Sequence, residues 1–160
     1  MKQIALSKWL KFIIIGVGIC GLIVYGMVIP MVGQWMAVFL QGEFDHCFWP
    51  WLIFIWITGI PCYIVLILAW KIAGNIGMDR SFCIENAKLF QWISVLAITD
   101  AAVFFAGNIV YLFLNLNHPS ILLFSLLIVF VGVAVAIASA ALSHLVLKAS
   151  VLQEQSDWTI

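Results

Sequence analysis

The chain is nearly without charge. Asp, Glu, Lys and Arg make up 9% of its 160 residues, against about a quarter in a soluble domain. Apolar residues make up 66%, where about half is usual. A soluble domain of this length has too little interior to hide so much apolar side chain. Lipid must therefore solvate much of the surface. The 7 basic and 7 acidic side chains cancel. With no basic patch to offset a phosphate backbone, direct nucleic-acid binding is not expected.

Catalytic signatures are missing as well. There is no Gly-rich phosphate loop, no HExxH and no GxSxG. The long third apolar run holds one aspartate and no second acid with which to share a proton. Enzymatic activity and a cofactor are not expected. Short strands of alternating polarity, the mark of a membrane barrel, are absent too.

What the chain has is long apolar runs. A spanning helix needs ~20 mainly apolar residues, and four segments qualify: approximately Leu10–Phe39, Trp49–Gly74, Ala87–Leu114 and Ser120–Leu147. The first is much longer than the roughly 7–15 residues of a signal peptide's apolar region, so it reads as a retained span. The breaks carry turn residues: Gln41–Cys47, Gly74–Ser81 and Asn115–Pro119, the last with a proline suited to the first turn of a helix. The fold class is all-α: one integral membrane domain over residues 1–160, a bundle of four transmembrane helices with a tail at 148–160. Closed helices satisfy their own backbone hydrogen bonds, as lipid demands.

The basic residues give an orientation. Lys2, Lys8, Lys11, Lys71, Arg80, Lys88 and Lys148 all fall on one side of this arrangement. The positive-inside rule then puts both termini and the middle loop in the cytoplasm. Trp35, Trp49 and Trp51 suit the outer interface and Trp9, Trp70 and Trp92 the inner one, while Trp56 falls deep in a span. Only Cys47 of the four cysteines lies on the oxidising side, so no internal disulfide is expected.

Asp100 sits near mid-bilayer, where an acid costs about 2.5–3.5 kcal/mol on insertion scales and should face protein or water. A dry surrounding favours the neutral acid. On a helical wheel Asn86, Ile93, Leu96, Asp100, Gly107 and Tyr111 share a stripe. Depth matching predicts a cluster of Asp100 with Tyr25 and one of Tyr63 or Thr58. It serves either as a proton- or ligand-sensitive switch or as interhelical glue, worth about 0.6–2 kcal/mol. Pro30 and Pro61 are positioned to kink the first two spans.

Further constellations have plain and sharper readings. Ser125, Gly132, Ala136, Ser139, Ser143 and Ser150 line one stripe of the fourth span, for packing inside the bundle or for a homodimer seam. Glu43, Asp45, His46, Cys47 and His118 have metal-ligand chemistry but match no established spacing, so no metal is expected. On the inner side, Ser81 is placed to cap a helix, Glu85 sits in its first turn and Phe82 is placed to pack back on the bundle. The last residues alternate polar and apolar, a pattern suited to strand addition on a partner or to a frayed end.

Two cytoplasmic segments carry a resemblance. RSFCIENAKLFQWI, which begins at Arg80 and carries Phe82, Asn86 and Leu89, resembles the middle-loop signature of a bacterial family of four-span membrane proteins classed as a domain of unknown function. LQEQSDWTI, with Leu152, Gln153, Glu154, Asp157, Thr159 and Ile160, is similar to that family's closing motif, in which Leu is usual where Trp158 stands and an acid is common where Gln155 stands. The resemblance implies a bacterial plasma-membrane protein, often encoded beside a small helix-turn-helix regulator of the XRE type. The expected function is then non-enzymatic regulation, with the inner loop and tail engaging that regulator. The alternatives are immunity to a secreted peptide toxin, or a small oligomeric transporter or channel.

Overall fold

A computed structural model describes the backbone of residues 2–39 and 48–157 and the side chains of 3–35 and 48–155. Among these residues the chain is helical apart from its turns. Helix α1 (Lys2–Ile23) runs through a π-helical turn (Val24–Val28) into α2 (Ile29–Phe39), and together they form the first span. Helices α3 (Phe48–Gly77), α4 (Ile84–Phe113) and α5 (Pro119–Asp157) form the other three. Each is long and apolar enough to cross a membrane. The accessible surface is 10978 Å², well above the roughly 8,000 Å² of a soluble protein of this mass. The excess is apolar: Phe12, Met31, Phe113, Leu123 and Phe130 are among the most exposed side chains. The protein is a multi-pass membrane protein.

The π turn has a local cause. Pro30 has no N–H, and its ring would clash with the carbonyl four residues back in a regular helix. The wider turn relieves this. Ile29 N–H bonds to Val24 O, five residues back. The Tyr25 carbonyl then has no backbone donor, because the next N–H in that pattern belongs to Pro30. The indole of Trp56 supplies one at 3.0 Å. This is the task of the one tryptophan that lies deep in a span.

Neighbouring spans pack in chain order. The first lies on α3, α3 on α4, and α4 on α5, while the first span and α5 make no extensive contact among the described residues. Ser7 donates to Ala73 O, Ser94 to Ala136 O and Ser143 to Ala87 O. These pairs fix an antiparallel register and bring the start of α1, the end of α3, the start of α4 and the end of α5 to one end of the bundle. The described lysines and the arginine all belong to that end. Lys11 lies 5.3 Å above the Trp70 ring there.

Small residues make the contacts. The buried apolar set is half alanine and half larger aliphatics, and an equally prominent polar set contains Ser7, Thr58, Asn75, Asn86, Asn108, Asn117, Ser125, Ser139 and Ser150. This is the expected chemistry where lipid is as apolar as leucine and close approach and hydrogen bonds drive association. The small-residue stripe of α5 lies on α4: Gly132 leaves 3.2 Å between its missing Cβ and that of Ala101. Helix α5 runs on to Asp157, so the tail continues the fourth span as helix up to that residue. Ala149, Leu152, Gln153 and Glu154 are good helix formers, and extending a formed helix costs little.

Candidate functional site

The stripe predicted on the third span faces α3 along its whole length. Asn86 accepts from Asn75 at 2.8 Å. Asp100 lies 4.0 Å from the Cys62 sulfur. Gly107 makes room for the Phe54 ring, which would collide with any Cβ there. The Tyr111 hydroxyl donates to Pro50 O at 3.0 Å.

Beside Asp100 the spans leave a partly open cavity of about 660 Å³. The first span contributes Tyr25, α3 contributes Thr58 and Cys62, and α5 contributes Ser125 and Gly132. Gly59 lets the Tyr25 ring approach, with 3.0 Å between the ring and a Cβ placed on Gly59. The Tyr25 side chain thus reaches the same cavity as Cys62 and Asp100. The cluster is therefore Asp100, Cys62 and Tyr25, one from each of three spans. Thr58 lines the same cavity, but its hydroxyl donates to Ile55 O at 2.9 Å in its own helix. Tyr63 points elsewhere: its hydroxyl donates to Gly18 O at 3.1 Å, over Gly21 on the first span. Cys62 was the residue that sequence reading missed. Its i+4 spacing from Thr58 places it on the same face, which was the available signal.

The charged end carries a second construction. Asn86 is completely buried. Its amide donates to Arg80 O at 3.1 Å and to Ser81 O at 3.0 Å, and its carbonyl oxygen receives Asn75. Arg80 N–H in turn bonds to Asn75 O at 3.0 Å. The loop between α3 and α4 is thus stapled to both helices, with Asp79 held at φ 62°. Asn86 shapes this surface from inside and is not part of its exterior. Two expectations for the loop are corrected. Ser81 does not cap α4; the helix begins at Ile84 with Cys83 at the cap position and no side-chain cap bond. The Ser81 carbonyl is committed to Asn86, and its hydroxyl lies at 3.5 Å from Gln3. Phe82 does not pack back on the bundle and is 58% exposed. Glu85 does occupy the first turn of α4.

The opposite end repeats the device. Asn117 donates to Asn108 at 3.0 Å, and Asn108 to Phe104 O at 2.8 Å. His118 takes the cap position of α5: its Nδ1 accepts from Ser120 N–H at 3.3 Å and its carbonyl from Ile121 N–H at 2.9 Å. Glu43, Asp45, His46 and Cys47 lie outside the described residues, as do Thr159 and Ile160. Of the remaining predicted contact residues, Arg80, Phe82, Leu152, Gln153 and Glu154 are exposed and Leu89 is half-buried, while Asp157 ends the described helix.

Residues 33–160 match the family described as protein of unknown function (DUF2975). The chain belongs to that family. It is also similar to "Uncharacterized membrane protein YoaS" of Bacillus subtilis (strain 168), at 24% identity over 153 residues and 94% of each chain. No solved structure matches it. The staple, the exposed loop and the tail helix all lie within the stretch that the DUF2975 family covers, and the cavity draws on both that stretch and the span before it.

Proposed function

We propose that this DUF2975 member is a non-enzymatic regulatory protein of the bacterial plasma membrane. Both termini and the middle loop face the cytoplasm, and the loop and tail together bind a small helix-turn-helix regulator. One observation carries the reading: a rigid, exposed loop and a projecting helix occur at the same, basic end of the molecule. The 39 residues of α5 make a rod of roughly 58 Å, against a hydrocarbon core of ≈ 30 Å. The part beyond Lys148 therefore stands clear of the lipid. The register of α4 and α5 sets Ile84, the first residue of α4, opposite Val146, so the tail helix continues past the end of the bundle that carries the loop. Arg80 and Phe82 on one and Leu152, Gln153 and Glu154 on the other supply charged and apolar contacts of the kind a protein partner needs.

The test is a cross-linked pull-down from membranes that contain the neighbouring regulator. Deletion of Gln153–Ile160 is expected to abolish recovery of the regulator while the protein still inserts. Undiminished recovery would contradict the assignment.

A further inference from the structure

We propose that the cavity at Asp100 is a binding site for a small lipophilic monocation that enters from the bilayer. The inference is independent of any cytoplasmic partner. The site is of ordinary small-molecule size, about 300–1,000 Å³, and its walls are almost wholly apolar. Tyr25, Thr58, Cys62 and Asp100 are its main polar features, with Asn108 and Ser125 toward the far end. Asp100 is the one carboxyl among the lining residues, and no lysine or arginine is among them.

The groups facing Asp100 can be named helix by helix. From α3 comes the Cys62 thiol and from the first span the Tyr25 hydroxyl, while α5 presents no ionisable group to the cavity. The acid therefore has hydrogen-bonding neighbours but no counter-charge from the chain. A carboxylate in a poorly screening environment attracts a cation far more strongly than it would in water. Apolar walls select the body of the ligand, and a single acid selects a single positive charge. The first span and α5 flank the cavity without closing on each other. Their lining residues Val17, Val24, Phe124, Ile128, Val131 and Val135 are exposed to the outside. The way in is thus lateral, from the acyl chains, which suits a ligand that partitions into lipid.

The probe is tetraphenylphosphonium, titrated by equilibrium dialysis against the purified full-length protein in nanodiscs. Saturable binding of one cation per chain is expected. Asp100→Asn should weaken it by at least ~10-fold, as removal of a close charge in a weakly screened site requires, and Asp100→Glu should retain most of it. A neutral analogue of like shape, triphenylphosphine oxide, should not distinguish wild type from Asp100→Asn. Protons should compete with the cation for the carboxylate, so wild-type binding should weaken as pH falls. Should Asp100→Asn not fold, Val135→Trp, which fills the mouth from α5, provides the second variant and should also abolish binding. The proposal is overturned by equal affinities for cation and neutral analogue, by binding indifferent to Asp100 and to pH, or by no saturable binding. The first two outcomes would mark an acyl-chain groove, the last a surface covered by another helix. Each arm is read without the regulator, so its result leaves the cytoplasmic assignment to its own test.

Discussion

Replacing Asn86 by alanine should loosen the loop between α3 and α4 more than any other single change there. Its side chain makes hydrogen bonds of 2.8, 3.1 and 3.0 Å. A typical bond contributes about 1 kcal/mol net, and a buried group left unpaired costs about 1–3 kcal/mol. Asn75, itself only 7% exposed, would lose its acceptor. The carbonyls of Arg80 and Ser81 lie at the exposed end and can find water, so their loss is discounted. The sum is a destabilisation of about 2–4 kcal/mol. Asn75→Ala separates the parts, because it removes the donor to Asn86 and leaves both bonds from Asn86 to the loop in place. It should fall between wild type and Asn86→Ala. The assay is unfolding in mixed micelles titrated with SDS, followed by circular dichroism, with thiol labelling of Cys83 in intact membranes as a local readout. Faster labelling together with the loss of stability is expected. A change below about 0.5 kcal/mol, the usual size at an unremarkable surface position, would refute the staple.

Two further predictions concern the spans. Trp56→Phe strands the Tyr25 carbonyl and should cost about 1–2 kcal/mol. In a Pro30→Ala background, which restores an N–H to the π turn, the same change should cost at least about 0.5 kcal/mol less, measurable as a double-mutant coupling in the same unfolding assay. Gly107→Ala should destabilise by about 1–3 kcal/mol through overpacking, because Phe54 is held between Phe104 at 5.9 Å and Tyr111 at 5.2 Å and cannot retreat. Adding Phe54→Leu should recover much of that loss.

The helices were legible in the sequence because lipid imposes one length and one polarity on every crossing. The stripe through Asn86, Asp100, Gly107 and Tyr111 was legible too, because a polar side chain at lipid depth must turn toward protein. The direction of that face followed from periodicity, but the partner on the facing helix did not. Depth matching offered Tyr63 or Thr58, whereas the packing of the first two spans turns Tyr63 to Gly18, the Thr58 hydroxyl bonds within its own helix, and Cys62 is left beside Asp100. Residues of like depth are distinguished only by helix rotation, which a single sequence does not fix. The loop failed for a related reason. A serine ahead of a helix is a sound cap signal, but the longer reach of Asn86 claims the Ser81 carbonyl and delays the start of α4. The π turn was foreshadowed by Pro30 only as a kink. Its consequence, a carbonyl seeking the Trp56 indole, required the facing helix to be in place.

The proposed regulator surface requires the basic end of the bundle to face the cytoplasm. Fusing fluorescent protein and alkaline phosphatase in turn after residue 160, within the 78–82 loop and within the 40–47 loop tests this directly. Fluorescence without phosphatase activity is predicted after residue 160 and in the 78–82 loop, and phosphatase activity without fluorescence in the 40–47 loop. Active phosphatase at the carboxyl end or in the middle loop would place the proposed regulator surface on the wrong side of the membrane and contradict the account.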